Sequence, residues 1–477
     1  RKESSAASDV YKRQVYIGTI VLLNIPNIQQ AMSVFVAEEL SEVLNTKVMI
    51  GRINIGLLNR IIIDDVLLDD QSGQEMLKVT RLSAKFDIMP FFKGKISISS
   101  VQLFGFNINL RKETPDSPPN FKFVLDAFAS KDTVKKENSL DLRINSILIR
   151  RGRMSYHVLS EEETPGKFNA KHIQLQNIIA NISLKALSKD SLNLGIKRLS
   201  LDEKASGFSL KKMSLKLVAN NKQTNIDNFT IELPETSLKL DTIHLEYDSL
   251  KAFDRFTEQV HFSFRTLPSQ VTLKDISPFV PILSHFKEPV TLDMEVKGTV
   301  DQLTCSHLEI TTDDRQFRLR GDVSLQDLSH PQDAYVYGTL SELSANTRGV
   351  GFLVRNLNPN YNGVPPLLER LGNVSFQGEI SGYFTDLVTY GQLQTSLGNV
   401  KTDLKLSSDK TKGLFAYSGA VKTEDFQLGK LLDNEELGEI TFNLDVHGRH
   451  IADHLPAVEL KGLIASIDYS SCLLYTS

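Results

Sequence analysis

Tryptophan is absent from this chain, and cysteine occurs only twice in 477 residues, at Cys305 and Cys472. Two cysteines exclude a disulfide-built scaffold. There is no Gly-Lys-Ser/Thr phosphate loop and no Gly-x-Ser-x-Gly elbow, which argues against P-loop NTPases and α/β-hydrolases. Arg348-Gly-Val-Gly351 lacks the third glycine and the βαβ setting of a dinucleotide fold. A formal net charge of -4 supplies no basic surplus for nucleic acid. The one basic cluster, Arg150-Arg151-Gly-Arg153, reads as a solvated strand end. His447, His450 and His454 lack a His-Glu-x-x-His arrangement and read as surface histidines after a strand. Asp64-Asp65 and Asp69-Asp70 lack the order of a calcium loop and read as solvated turns. No catalytic residue, cofactor or metal ligand emerges, so an enzyme is the poorest of the functional readings.

What the chain does have is a repeated six-residue phrase: apolar, two mostly polar residues, apolar, any residue, apolar. Its apolar positions are Ile50, Ile53 and Ile55; Ile98, Val101 and Leu103; Ile144, Ile147 and Ile149. They recur as Ile196, Leu199 and Leu201; Ile226, Phe229 and Ile231; Leu240, Ile243 and Leu245. Further copies start at Ile63, Val79, Leu175, Leu210 and Cys305. A half-buried strand places apolar residues at every second position. Here the step is three and then two, so one residue is inserted into the alternation. Left uncorrected, that insertion turns the rest of the strand to the wrong face. A β-bulge absorbs it and bends the strand. The pattern therefore predicts a mainly β chain: an elongated, curved antiparallel sheet array with an apolar concave side.

Residues 1–14 and 471–477 resemble sequencing-adapter read-through, and between them the chain reads as a fragment of a longer protein. Residues 15–26 read as the tail of a truncated membrane anchor, being shorter than the about 20 apolar residues of a span. Residues 27–45 form an amphipathic capping helix started by Asn27, with Ile28, Met32, Phe35, Val36, Leu40, Val43 and Leu44 on one face. A β segment follows over 46–111, then a linker over 112–139 with Phe121, Val124, Leu125 and Phe128 on one side of a short helix. Groove-forming strands resume over 140–249, and a helical, proline-bearing break occupies 250–289. Residues 290–470 carry a nine-residue strand repeat ending in Gly298, Gly382 and Gly448, where glycine permits bulges or close backbone approach.

The anchor, the amphipathic helix, the stretch Leu44–Ile55 (LNTKVMIGRINI), Val101–Leu110 and Asp425–Leu432 together resemble the TamB family of the AsmA-like superfamily, in its Bacteroidota style. That family of bacterial envelope proteins belongs to the translocation and assembly module. The resemblance implies a single-pass inner-membrane anchor and a periplasmic body shaped as a β-taco. It implies phospholipid as cargo and a TamA-like outer-membrane barrel partner, reached through a C-terminal region beyond this fragment. The apolar positions given above then become the lipid-groove candidates. A second reading keeps the sheet and makes it a module for assembling outer-membrane proteins, templating incoming strands by β-augmentation. A third makes it a passive spacer whose apolar faces close on themselves.

Overall fold

Inserted residues in the alternation do build strands: the chain is mainly β, with 60% strand and 17% helix. The computed structural model describes residues 14, 18, 21–56, 59–86, 96–128, 140–141, 145–187, 191–330, 333–357, 363–409, 414–451, 457–470 and 472–475. The chain divides into two units, the first holding residues 1–218, 230–234 and 275–281 and the second 219–229, 235–274 and 282–477.

In the first unit, helix α1 (Pro26–Leu44) precedes β1 (Val48–Gly56), β2 (Arg60–Asp69), β3 (Glu75–Phe86) and β4 (Ile96–Lys112), an antiparallel meander. Helix α2 (Lys122–Phe128) and the two-residue β5 (Leu140–Asp141) lead to β6 (Ser146–Val158). Here the expected antiparallel order has an exception: β6 pairs parallel with β4. The linker with its helix is the reason, because only a crossover connection can bring a strand back in the same direction. β7 (His172–Leu187) and β8 (Ser191–Glu203) restore antiparallel pairing, and β9 (Ser209–Asn220) follows.

Helix α1 starts at Pro26, with Ile25 as its N-cap, so Asn27 is not the cap. Proline suits the first helical position, where an N–H would have no partner. Asn45 closes the helix in a left-handed conformation, donating to Glu42. The face it buries is shifted from expectation: Leu44 is buried and Ile28, Met32, Val36 and Leu40 are half-buried, as expected, but Gln29, Ser33 and Ala37 are buried as well while Phe35 and Val43 are exposed. Close approach to a sheet favours small residues, and Ser33 satisfies its hydroxyl on Gln29 O at 2.8 Å. Ser41 accepts from the Val48 amide at 3.0 Å, stitching helix to strand. Leu40 and Leu44 pack with Val48, Ile50, Leu68 and Met76, joined by Phe121, Phe123 and Val124 of the linker. Leu125 instead is exposed, and the Phe128 side chain lies outside the described residues, as do residues 15–17 and 19–20 of the expected anchor. No helix among the described residues is long and apolar enough to cross a membrane.

The second unit runs β11 (Ser237–Leu240), β12 (Ile243–Glu246), β13 (His261–Val271), β14 (Val290–Gly298), β15 (Gln302–Thr312), β16 (Phe317–Gln326) and β17 (Tyr335–Ala345). It continues with β18 (Val374–Tyr383), β19 (Asp386–Thr395), β20 (Gly398–Asp409), β21 (Leu414–Gln427), β22 (Leu437–Ile451), β23 (Ala457–Tyr469) and β24 (Cys472–Tyr475). From β12 onward each strand pairs antiparallel with the next. β10 (Gln223–Glu232) has residues in both units, and its Gln223–Ile226 pairs with β12.

Strand β13 lies inside what was expected to be a helical break. Its Pro268 falls in the interruption between Arg265 and Ser269, where the ladder needs no N–H. The repeat glycines do permit close approach: a Cβ on Gly298, at φ +125°, would lie 1.9 Å from Gln302 O. Short helices plug the strand ends. α3 (Thr347–Leu357) places Val350 and Phe352 against Val290, Phe317 and Ala345. α4 (Pro366–Arg370) and α5 (Leu428–Leu432) flank a cluster of Leu397, Phe426 and Ile440.

Candidate functional site

The inserted residue of the phrase is visible in the backbone. Asp65, Asn177, Asn228 and His307 each occupy the third position of a copy, and each is left-handed, with φ between 52° and 55° or at 55°. Asparagine, aspartate and histidine tolerate that region best among residues with a side chain. Across β1 to β4 the interruptions are matched. Ile50 pairs with Val66 and Arg52 with Asp64, skipping Gly51 and Asp65, and the register then continues unchanged. The same skip opposes Asp65 to Thr80 and Thr80 to Gly105. Neighbouring strands therefore bend at one level without slipping. Farther on, the ladder between β7 and β8 shifts by a residue at Gln176/Ile179 and again at Asn181/Ile182.

The physical consequence is a shared apolar side. Leu77, Val79 and Leu82 of β3 join one cluster, although the bulge lies between the last two. So do Leu103, Phe106 and Ile108 of β4, Ile149 and Met154 of β6, and Leu175 and Ile178 of β7. Only Val79, Phe106 and Ile178 of this set are buried; the others are half-buried. This side is therefore only partly sealed.

The expected lining residues distribute as follows. Leu103, Ile149 and Leu201 meet in the cluster just described. Ile50 is covered instead by the α1 and α2 helices, and Ile53 is buried. Ile55, Ile98, Val101, Ile147, Ile196 and Leu199 are half-buried strand positions. Ile144 lies outside the described residues. Ile226 and Phe229 belong to the second unit and Ile231 to the first. Leu240 is buried at the end of β11, and Leu245 packs on Tyr247, Ala252 and Val260. In that copy the extra residues open a gap between two strands, Asp241-Thr242, rather than a bulge within one.

Two strands bend one phrase later than expected. In β4 the left-handed residue is Gly105, at φ 65°, and in β6 it is Arg151, at φ 56°. Leu103-Phe-Gly-Phe106-Asn-Ile108 keeps the apolar spacing of the other copies but has Phe104 and Gly105 where they are mostly polar, which hid Phe106 and Ile108 from the pattern. The basic cluster is exposed, as expected, yet it lies mid-strand, with the Arg151 guanidinium 5.2 Å from the Phe104 ring centre.

The acidic pairs are not solvated turns. Asp64 is buried within β2 and accepts from Arg81 Nε at 2.6 Å and Arg52 Nη2 at 3.3 Å. The Arg81 hydrogen bond outweighs burial and holds the carboxyl below its usual range. Asp70 anchors the β2–β3 turn: burial pushes its carboxyl up, but the Ser72 and Asn120 side chains and the Gln74 amide lower it overall. Arg111 adds an ion pair at 2.7 Å. Glu203 does the same for the β8–β9 turn, where burial is outweighed by hydrogen bonds from Ser206, Gln174 and Ala205. Desolvation raises the Cys305 thiol, so this buried cysteine is not an activated nucleophile.

Among the described residues the metal-like grouping is not the expected one. His447 is exposed in β22, and His454 and the His450 side chain lie outside the described residues. His157, Glu163 and His172 instead bring their ligand atoms within 4.8 Å of one another. They escaped sequence reading because His157 and His172 meet only through the β6–β7 register, as cross-strand partners. No protein-family model, curated protein or solved structure matches the chain.

Proposed function

We propose that this chain is a non-enzymatic envelope protein whose apolar strand face carries phospholipid acyl chains between the inner and outer membranes. The observation that carries the reading is the half-buried side shared by Leu103, Ile108, Ile149, Met154 and Leu175. Matched bulges keep these residues on one side of the bent strands, where an ordinary core would have covered them. Covering such a face with acyl chain is favourable by roughly 25 cal/mol per Å² of apolar surface. The pattern resemblance to TamB-like proteins supplies the envelope setting, the inner-membrane anchor and the barrel partner. Lipid mass spectrometry of the purified chain, after incubation with phospholipid vesicles, tests the reading. Copurified or acquired phospholipid is expected; a chain that stays lipid-free defeats it.

A further inference from the structure

We propose that His157, His172 and Glu163 form a binding site for one divalent transition-metal ion of the zinc class. The two histidines are the terminal register pair of β6 and β7, and their Nδ1 atoms lie 3.0 Å apart. His172 is buried, and its Nε2 is 2.9 Å from the backbone oxygen of Glu161. A carbonyl oxygen only accepts, so Nε2 carries the proton and Nδ1 presents a lone pair. A backbone carbonyl orienting the distal nitrogen is the usual support of a metal-bound histidine. Without an ion, that lone pair accepts a hydrogen bond from His157 Nδ1–H. With one, His157 takes its other neutral tautomer and presents a second lone pair, so no net proton is required.

Glu163 supplies the third donor from the loop between the strands, with its carboxylate 3.8 Å from His157 Nδ1. Donors about 2.1 Å from a tetrahedral ion lie about 3.4 Å from one another; the two histidines are already near that spacing, and Glu163, whose ligand atom lies within 4.8 Å of both, completes the set by a shift of its exposed side chain. Two imidazoles and a carboxylate suit zinc, cobalt, nickel or copper better than calcium or magnesium. Three protein donors leave a fourth position for water. The neighbouring cation does not oppose binding, because Lys171 is paired with Glu161 at 2.7 Å. An ion here fastens the loop that carries Phe168. That residue donates its amide to Pro278 O at 2.8 Å and sets its ring 4.8 Å from Phe279.

The alternative is a hydrogen-bonded histidine pair with an incidental glutamate. Untagged full-length chain, stripped with chelator, is titrated with Zn²⁺ by calorimetry and with Co²⁺ by visible absorption. One equivalent of Zn²⁺ with Kd in the micromolar range or below, and Co²⁺ ligand-field bands, are expected. His157→Gln then weakens binding by about a hundredfold, and Glu163→Gln by about tenfold, since loss of supporting groups alone costs 10–100-fold. Glu163 is largely exposed, so its variant keeps the fold, with circular dichroism as the control. Absence of stoichiometric uptake, or uptake unchanged in both variants, overturns the site.

Discussion

Asp64 and Arg81 join β2 to β3 through a 2.6 Å hydrogen bond from Nε to a buried carboxylate. Asp64 sits beside the left-handed Asp65, so the ion pair pins the ladder at the level where it is interrupted. Arg81 lowers the folded-state pKa of Asp64 despite the opposing effect of burial. A depressed carboxylate contributes stability above its unfolded pKa of about 3.9, and that contribution is lost as pH falls through the folded value. Asp64→Asn is expected to cost about 1–2 kcal/mol at neutral pH, the low end for a charged hydrogen bond because both arginines are more than half exposed. Its Tm should also fall less steeply than wild type below about pH 4. Thermal melts across pH 2–7 check both outcomes.

Asn228 tests the bulge itself. It is exposed, at φ 53°, in the third position of its phrase. Asn228→Gly should change stability by no more than about 0.5 kcal/mol, since glycine enters this region freely. Asn228→Val should cost about 1–2 kcal/mol, because a β-branched side chain clashes there. Urea melts of the two variants give the comparison, and equal midpoints would show that the position is not left-handed in solution.

Gly298→Ala is expected to cost about 3 kcal/mol or more, combining a forced φ with a backbone collision. The new methyl would lie 1.9 Å from Gln302 O, within the β14–β15 turn. Gly363→Ala has nothing within 4 Å and serves as the neutral control. The difference in urea midpoint between the two variants checks this.

How much of this was legible beforehand depends on which force decided each element. The three-then-two step at Ile63/Val66 and Leu175/Ile178 is a local steric fact, and the left-handed Asp65 and Asn177 follow from it. The face of α1 was legible at Ile28, Met32, Val36, Leu40 and Leu44, which are half-buried or buried, but its centre is shifted toward the small residues Ser33 and Ala37, because periodicity counts only apolar residues. Strand β13 was hidden by Pro268, whose missing donor matters only if the ladder is intact there. The His157–His172 pair depends on register across an intervening loop, and no spacing rule along the chain encodes that. Long-range pairing is the part of the fold that a linear pattern carries least.

Ile147 decides between a lipid face and a closed core. It lies two residues from Ile149 on the same side of β6 and is half-buried, whereas Val79 is 4% exposed in the adjoining cluster. A carboxylate placed at a fully buried site is uncompensated and costs several kcal/mol, so Val79→Asp should unfold the first unit. At a face open to water, the same charge remains hydrated. Ile147→Asp should therefore keep the circular dichroism and lower Tm by only a few degrees. It should still lose bound phospholipid, because acyl chains cannot cover a charge without desolvating it. Melts and lipid mass spectrometry on the two variants check this pair of outcomes. If Ile147→Asp unfolds as Val79→Asp does, the face is sealed core and the conduit reading fails. If it folds and keeps its lipid, the acyl path runs elsewhere than along the bulged phrase.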